Sequence, residues 1–312
     1  MARLPTTTEL KALADGSHRW ALQRAREAIR LALVDKDQAL PPLAERRTLT
    51  LQGGEGPREA RLYRGLGAAA DAPLLLYFHG GGFFSGDLDT HEALCVRLAD
   101  ASNLRVLSAS YRLAPEHPFP AQLDDAIAIA RAAIADPALA GGSPLLVGGD
   151  SAGGYLALSV AARLNAERPG AVTAQLLIYP LVHVDEAVWA ADLLRHTRVL
   201  GWAAVRYIRA LIRAGTEGAP SLLIPGAVSA IPTVIITGGP LDPVSPDADP
   251  LAEQLEAAGA TVVRRTYPLM IHGFANLTHA SATAREAAAE AGRLIAELAR
   301  PAPAGPPSAD LR

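Results

Sequence analysis

The chain has 312 residues, half of them hydrophobic, and a formal net charge of −3 at pH 7. Its 29 Lys and Arg are balanced by 32 Asp and Glu, so no cationic excess is left for phosphates, and a nucleic-acid partner is not expected. The single cysteine, Cys95, excludes an internal disulfide and a cysteine-based zinc site. Without a run of about 18 apolar residues or a signal-peptide pattern, we expect a cytoplasmic protein with no stable membrane association.

The N-terminal segment predicts a helix ahead of every strand. Between Ser17 and about Asp35, apolar residues recur on one helical face and basic residues lie elsewhere. A basic amphipathic helix can bind a membrane surface, but an apolar face made mostly of alanine favours packing as a cap. The apolar face comprises Ala21, Ala25, Ala28, Ile29, Ala32 and Leu33, and the basic residues are Arg19, Arg26, Arg30 and Lys36. We therefore predict an N-terminal helical cap over residues 1–45.

Eight short apolar runs predict strands that alternate with helical patterns. The first two, 47–52 and 59–65, alternate in polarity and predict an antiparallel hairpin at a sheet edge. The later runs are rich in Leu, Val and Ile, as expected for strands covered on both faces. Those strands are predicted at 73–79, 104–112, 144–150, 174–180, 232–239 and 261–268, and helices at 90–102, 121–136, 151–166, 247–259 and 281–299. The alternation predicts an α/β domain over residues 46–300 with a mostly parallel sheet flanked by helices.

Two segments stand apart from this alternation. Residues 185–222 predict a helical insertion before the seventh strand, which would contribute to the cap and to a pocket. The proline-rich stretch PAPAGPPSADLR, residues 301–312, is predicted to be disordered because it offers almost no apolar surface to bury.

The stretch GGDSAGG, residues 148–154, joins a predicted strand to a predicted helix and carries the pattern G-x-S-x-G. In this context a serine at a sharp turn exposes its hydroxyl at the C-terminal edge of the sheet, and the flanking glycines let strand and helix approach closely. A dinucleotide-binding turn would need G-x-G-x-x-G and an acidic residue ending the next strand, which here ends in Ile-Tyr-Pro. Ser151 is therefore the predicted nucleophile, and Asp150 is predicted to be a hydrogen-bonded turn residue.

A serine nucleophile requires a general base and an acid that orients the base. In this architecture the three residues follow one another in the order Ser, acid, His. His272 follows the last predicted strand, at the sheet edge where Ser151 emerges. Of the acids after the seventh strand, Asp242 lies nearest the strand end and is the predicted partner of His272, with Asp247 as the alternative.

The stretch YFHGGGFF, residues 77–84, ends the third predicted strand at the same edge. A phosphate-binding loop would lead its glycines into a helix, often with a lysine, whereas two phenylalanines follow here. Bare N–H groups without a Cβ suit an oxyanion hole, which binds the transient negative charge of a tetrahedral intermediate. We predict that His79 supports this loop through hydrogen bonds.

Other residues near these motifs allow two interpretations. Glu116 and His117, in the stretch APEHPFP, are predicted to form a structural turn rather than a second catalytic pair. Five apolar residues could line an acyl or alcohol pocket or belong to the core. They are Phe83, Phe84, Leu181, Val182 and Trp202.

Together these motifs resemble those of the hormone-sensitive-lipase-like carboxylesterases, the bacterial family IV esterases of the α/β-hydrolase superfamily. The similar stretches lie between residues 73 and 299 and include YFHGGGFFSGDLDTHEALCVRLA, YRLAPEHPFPAQLDD, GGDSAGG, LLIYP, LDP and IHGF. The resemblance implies an eight-stranded α/β-hydrolase fold with an N-terminal helical cap. It implies Ser151 as nucleophile, Asp242 as orienting acid and His272 as general base and acid.

The resemblance also implies oxyanion donors, a substrate class and the absence of a cofactor. The donors would be the N–H groups of Gly81, Gly82 and Ala152, while Gly80 makes the turn. The chain departs from the family pattern at residues 238–247, where the loop GGPLDPV is longer and richer in proline. The implied reaction is hydrolysis of short- to medium-chain carboxylic esters through an acyl-enzyme, with a small-molecule ester as partner and no metal or organic cofactor.

Two alternative functions and the oligomeric state stay open at this point. An amidase or N-deacetylase would use the same three residues on an amide. A non-catalytic ligand-binding relative, like the plant gibberellin receptors, would lack the histidine, whereas His272 is present. Monomer and homodimer are both compatible with the resemblance.

Overall fold

The computed structural model describes residues 19–34, 39–140, 144–182, 207–208, 210–212 and 230–300, and within them eight strands form one sheet. The strands are β1 (Leu43–Gly53), β2 (Gly56–Gly65), β3 (Leu74–Phe78), β4 (Arg105–Ala109), β5 (Leu145–Asp150), β6 (Val172–Ile178), β7 (Thr233–Gly238) and β8 (Val262–Tyr267). Their order is β1-β2-β4-β3-β5-β6-β7-β8. Strand β2 is antiparallel to β1 and β4, and the other neighbours are parallel. The predicted edge hairpin and mostly parallel sheet are confirmed.

Helices flank this sheet, as the alternating pattern predicted. They are α1 (Arg19–Leu33), α2 (Glu92–Ser102), α3 (Ala121–Ala135), α4 (Pro137–Ala140), α5 (Ala152–Glu167), α6 (Ala248–Ala257) and α7 (Ala282–Leu298). Helix α2 packs against α7, and α3 packs against α5. Two short 3₁₀ turns, Ser245–Asp247 and Phe274–Asn276, lie in the loops that follow β7 and β8. In the part of the chain that the structure describes, no helix combines the length and apolarity needed to cross a bilayer.

Burial along the strands follows their position in the sheet. Every residue of β3, β4 and β5 is buried, as their continuous apolar sequences predicted. Strand β8 differs from the prediction of cover on both faces, since Arg264, Arg265 and Thr266 are exposed. The reason is its place at the end of the sheet, where β7 is its only partner among the described strands. The core therefore lies around the centre of the sheet, beneath the loops that carry the predicted site.

Helix α1 contacts the domain through a face that coincides only in part with the predicted one, on which Ile29 and Leu33 are half-buried. Ala28 and Ala32 are exposed, whereas Leu22 is buried and Arg26 and Arg30 are partly buried. One reason is that alanine has little surface to bury. The other is that the two arginines bind acidic residues of the α/β domain, Glu116, Asp87 and Asp89. The side chains of Ala21 and Ala25 lie outside the described residues.

The predicted division into cap, catalytic domain and tail is only partly covered by the structure. The predicted cap, 1–45, extends into β1, which begins at Leu43. Of the predicted insertion 185–222, the structure describes residues 207–208 and 210–212, which are helical. The tail 301–312 lies outside the described residues, so this division stays a prediction.

Strand β5 passes into helix α5 beneath the end of β3, with no room for side chains at the crossing. A Cβ on Gly149 would lie 2.3 Å from the carbonyl of Gly153, and a Cβ on Gly153 would lie 2.0 Å from the carbonyl oxygen of Phe78. Both contacts are shorter than real Cβ atoms make, and both partners are backbone atoms that cannot rotate away. The glycines on either side of Ser151 are therefore required by the crossing itself.

We expect Gly149→Ala to lower the free energy of unfolding by about 3 kcal/mol or more, because the added methyl group must displace backbone. Gly148→Ala is the matched control, since its Cβ would lie 3.2 Å from both its nearest neighbours and requires only a small shift. Urea unfolding followed by circular dichroism measures both. Equal losses in the two variants would contradict a steric requirement at residue 149.

Candidate active site

Ser151 occupies a strained backbone conformation between β5 and α5. Its φ is 52° and its ψ is −118°, a region that residues other than glycine rarely adopt. Two backbone hydrogen bonds hold the turn: the Ser151 N–H donates to the Ile178 carbonyl at 2.9 Å, and the Leu181 N–H donates to the Ser151 carbonyl at 3.0 Å. The sheet and the segment after β6 thus impose the strain.

The side chains of Ser151, His272 and Asp242 form one hydrogen-bonded line. His272 Nε2 lies 2.9 Å from Ser151 Oγ, and His272 Nδ1 lies 3.0 Å from Asp242 Oδ1. The Asp242 side chain is fully buried, and its Oδ1 also accepts the Val244 N–H at 3.0 Å. With the carboxylate accepting from Nδ1–H, the imidazole presents the lone pair of Nε2 to the serine hydroxyl. The structure thus brings together three residues that lie far apart in the chain.

The proline-rich loop that carries Asp242 folds against the loop that carries His272. A Cβ on Gly239 would lie 2.0 Å from the Pro268 carbonyl oxygen, so the two loops are in direct backbone contact there. The Asp242 N–H donates to the Gly239 carbonyl at 2.9 Å and closes a turn that places the acid. The longer loop therefore still presents Asp242 to the histidine.

Asp247, the alternative acid, has a different environment. It is buried in the 3₁₀ turn Ser245–Asp247, and its Oδ2 accepts the Val182 N–H at 3.2 Å. Asp247 thus anchors the segment after β6, and Asp242 is the acid that accepts the hydrogen bond from His272 Nδ1–H.

Three backbone N–H groups, in the glycine loop and at the start of α5, have no acceptor within the described residues. They belong to Gly81, Gly82 and Ala152. Gly81 has a φ of 116° and Gly82 a φ of 62°, conformations that favour glycine. Ala152 is the first residue of α5, where the helix dipole contributes positive potential. Among the described residues, therefore, nothing occupies these three N–H groups, and each is available to an anion.

The buried carboxylate of Asp150 ties the loops of the site together. Its Oδ1 accepts the Tyr77 hydroxyl and the Gly80 N–H, both at 2.9 Å. Its Oδ2 accepts the side-chain amide of Asn276 at 3.0 Å, and His91 Nε2 lies 3.2 Å from it. Burial alone would raise the pKa of Asp150, but His91 and the Tyr77 hydroxyl outweigh burial and lower it, so the carboxylate is charged. The sequence thus predicted that Asp150 is a hydrogen-bonded turn residue, but it did not predict its contacts with Tyr77, Asn276 and His91.

His91 and Asn276 were missed by the sequence analysis. Both are buried polar residues, and neither lies in a motif that carries chemistry by itself. The residue that could have pointed to them was Asp150, because a carboxylate buried at an apolar strand–helix junction requires hydrogen-bond donors from elsewhere in the fold.

His79 supports the glycine loop as a neutral imidazole. Its Nδ1–H donates to the Gly80 carbonyl at 2.8 Å, and its ring stacks on Tyr111 with centroids 4.2 Å apart. The Tyr111 hydroxyl donates to the His79 carbonyl at 2.7 Å. Burial, together with the nearby His91, lowers the pKa of His79 to about 4.

The five candidate pocket residues occupy different environments. Phe83, Leu181 and Val182 are buried in the hydrophobic core. Phe84 is partly buried and meets the ring of Tyr207 edge-on, with centroids 5.2 Å apart. Trp202 lies outside the described residues. A role in binding substrate stays a prediction for all five.

Comparison with known proteins agrees with this architecture. Residues 75–276 match a family described as having the alpha/beta hydrolase fold. The carboxylic ester hydrolase LipN of Mycobacterium tuberculosis is 36% identical over 73% of this chain and 64% of its own length. Esterase LipI of the same organism is 33% identical over 89% of this chain and 90% of its own. A Pyrobaculum calidifontis esterase has 30% identity and a TM-score of 0.77, over 89% of this chain and 93% of its own.

Fold, motifs and relatives agree over most of the chain. The family match spans the glycine loop, the strand–serine–helix turn and the loops that carry Asp242 and His272. The relative with 33% identity extends the similarity to about nine-tenths of both chains. The chain belongs to the alpha/beta hydrolase family, among the hormone-sensitive-lipase-like carboxylesterases.

Proposed function

We propose that this protein is a serine carboxylesterase that hydrolyses short- to medium-chain carboxylic esters through an acyl-enzyme. The observation that carries the proposal is the continuous hydrogen-bonded line from Ser151 Oγ through His272 to Asp242 Oδ1. A line of this composition and order activates a serine toward acyl groups. The names of the relatives, which are ester hydrolases and esterases, support an ester as the substrate.

Acylation begins when Ser151 Oγ attacks the ester carbonyl. His272 Nε2, 2.9 Å from Oγ, takes the hydroxyl proton as the new carbon–oxygen bond forms. Asp242 holds the Nδ1–H of the resulting imidazolium and stabilises its charge. His272 then donates the proton to the leaving alkoxide, which departs as the alcohol and leaves the acyl-enzyme.

Deacylation repeats these steps with water as the nucleophile. His272 Nε2 removes a proton from water as the water oxygen attacks the acyl carbonyl. Collapse of the second tetrahedral intermediate breaks the bond to Ser151 Oγ, which regains its proton from His272. The carboxylic acid leaves and the enzyme returns to its starting state.

The N–H groups of Gly81, Gly82 and Ala152 form the proposed oxyanion hole. Their lack of protein acceptors within the described residues supports this role, as does the position of Ala152 at the N-terminus of α5. Fixed donors stabilise the tetrahedral oxyanion strongly because they do not have to reorient during the reaction. Each donor lost would typically lower the rate by about 10²–10³.

The cap and the helical insertion form the proposed roof of the substrate pocket. Two contacts support this arrangement: the Tyr207 ring meets Phe84, and the Ile208 side chain lies 2.7 Å from where a Cβ on Gly82 would stand. Apolar side chains so close to the glycine loop, residues 80–82, which we also call the oxyanion loop, leave limited space for the acyl chain. This supports a preference for short acyl groups.

We expect Ser151→Ala to abolish hydrolysis of p-nitrophenyl acetate and Asp242→Asn to lower kcat by about 10³–10⁴, because the amide no longer selects the productive imidazole tautomer. Asp247→Asn is the matched control. Its remaining carbonyl oxygen can still accept the Val182 N–H, so we expect kcat to stay within about threefold of wild type.

Labelling with a fluorophosphonate separates an enzyme from a ligand-binding relative. Wild type should be labelled, and Ser151→Ala should not. Wild-type turnover in Ser151→Ala would contradict the proposed mechanism, and a larger loss in Asp247→Asn than in Asp242→Asn would transfer the acid's role to Asp247.

We expect kcat/KM for p-nitrophenyl esters to be highest between acetate and hexanoate and to fall toward dodecanoate, because the roof limits the space beside Gly82. In parallel, p-nitroacetanilide should be cleaved far more slowly than p-nitrophenyl acetate. A maximum at dodecanoate would contradict the short-chain preference, and comparable cleavage of the anilide would favour the amidase.

We expect acid to destabilise the protein partly through His79. In the unfolded chain the imidazole has its ordinary pKa of 6.5, whereas in the folded protein the pKa is lowered to about 4. Between these values only the unfolded chain binds the proton, so the contribution of His79 is fully present above pH 6.5 and decreases by up to about 3 kcal/mol as the pH falls to 4.

Urea unfolding between pH 7.5 and 4 tests this expectation. His79→Gln, measured against its own value at pH 7.5, should flatten the decline, while His117→Gln, at an exposed position, should keep the wild-type slope. An unchanged slope in His79→Gln would assign the acid sensitivity to other groups.

A further inference from the structure

One side chain of the cap helix α1 binds the backbone next to the oxyanion loop. Arg26 Nε donates to the Phe84 carbonyl at 2.6 Å, and Arg26 Nη2 donates to the Ala114 carbonyl at 2.8 Å. The carboxylate of Glu116 accepts from Nη1 and Nη2, each at 2.7 Å, and so orients the guanidinium plane. With about a quarter of its side chain exposed, Arg26 is partly shielded from water.

The Phe84 carbonyl belongs to a peptide unit whose N–H end binds the oxyanion loop. This unit is trans, so its C=O and N–H point in opposite directions. Its N–H, on Ser85, donates to the Gly81 carbonyl at 3.0 Å. The same carbonyl also accepts the Ser85 hydroxyl at 2.9 Å and the Phe84 N–H at 3.2 Å. The Gly81 carbonyl is thus held by three hydrogen bonds.

The Gly81 carbonyl is in turn one end of the peptide unit that carries the Gly82 N–H. This unit is also trans, so the bonds that hold the carbonyl on one side aim the N–H on the other. A chain of two peptide dipoles therefore runs from the guanidinium of Arg26 to the Gly82 N–H. A cation at the carbonyl end favours this alignment, and hydrogen bonds arranged in series strengthen one another.

We propose that Arg26 is a positioning residue for the oxyanion hole, which orients the Gly82 N–H through the Phe84–Ser85 and Gly81–Gly82 peptide units. The inference rests on the proposed function, because the Gly82 N–H acts in this way only if an oxyanion forms beside it. His79 holds the neighbouring Gly81 N–H by the same principle, since its Nδ1–H binds the Gly80 carbonyl. One donor is thus held from within the domain, and the other from the cap helix.

A purely structural role for Arg26 would be to fasten α1 to the domain. Arg30, one helical turn further on, distinguishes the two roles. It binds the carboxylates of Asp87, at 3.1 Å, and Asp89, and so also fastens α1 to the segment after the oxyanion loop. None of its bonds in the described structure reaches a carbonyl of the two peptide units. Arg30→Gln is therefore the matched control for Arg26→Gln.

The test compares wild type, Ser151→Ala, Arg26→Gln and Arg30→Gln on p-nitrophenyl acetate. It also measures inhibition by a trifluoromethyl ketone, whose adduct with Ser151 places a stable oxyanion against the three N–H groups. We expect Arg26→Gln to lower kcat about tenfold, less than the loss of a donor itself, with KM within about twofold. Its affinity for the trifluoromethyl ketone should fall by a similar factor.

The control arms separate orientation from anchoring. Arg30→Gln should lower the melting temperature about as much as Arg26→Gln but keep kcat and ketone affinity within about twofold of wild type. Arg26→Lys should recover part of the lost kcat, because an ammonium keeps the charge but cannot bind both carbonyls and Glu116 together. Should Arg26→Gln fail to fold, Glu116→Gln gives the same readout, with an expected loss in kcat of about threefold, since the guanidinium remains but loses its orienting carboxylate.

Two results, obtained with an active wild type and an inactive Ser151→Ala, would overturn the inference and leave the proposed function intact. The first is an unchanged kcat in Arg26→Gln. The second is an equal loss of kcat in Arg26→Gln and Arg30→Gln. A wild type that hydrolyses no ester would overturn the proposed function, and the inference with it.

Discussion

The buried carboxylate of Asp150 is the interaction on which the geometry of the site depends. It lies at the end of β5, directly before Ser151, and receives hydrogen bonds from the end of β3, from the Gly80 N–H and from Asn276 behind the histidine loop. Each of these donors, if it stayed buried without the carboxylate as its acceptor, would lower the free energy of unfolding by about 1–3 kcal/mol. The same contact also requires glycine at residue 80, where a Cβ would lie 2.4 Å from Asp150 Oδ2. A single charge thus sets the spacing between the proposed nucleophile, oxyanion loop and general base.

The proposed oxyanion loop illustrates how a protein can orient backbone N–H groups through bonds made at the far end of each peptide unit. In a trans peptide the carbonyl end determines where the N–H end points, so a donor bound at the carbonyl acts on the far side of the plane. His79 acts on one glycine peptide in this way, and Arg26, through Ser85, is proposed to act on the next. Because His79 is neutral and Arg26 is cationic, the two supports differ in their response to pH and salt. Packing of α1 on the domain is thereby linked to the proposed chemistry.

Much of the fold and of the candidate site was predictable because local patterns and chain order restrict them strongly. Runs of Leu, Val and Ile predicted the buried strands, and G-x-S-x-G at a strand–helix junction has one steric explanation, which the contact between Gly153 and Phe78 bears out. The inward face of α1 was only partly predictable from its apolar residues, because Arg26 and Arg30 are as buried as Ile29 and Leu33. Its orientation follows from acids that lie about 60 to 90 residues further along the chain. The partial exposure of β8 likewise follows from its position in the sheet, which the strand's own sequence does not encode.

The sequence by itself determined the fold class and the identities of Ser151, Asp242 and His272 as candidates, because strand–helix patterns, the serine motif and chain order restrict them. Its resemblance to known sequences indicated the family. Only the tertiary structure decided which acid reaches the histidine, since Asp242 and Asp247 lie in one short loop and are separated by the turn that the Ser245 N–H closes on the Asp242 carbonyl. It also decided the contacts of Asp150, Asn276 and Arg26, whose partners are brought close by folding alone. Hydrogen bonds act over about 3 Å in space, and residues far apart along the chain meet at that range only once the sheet has formed.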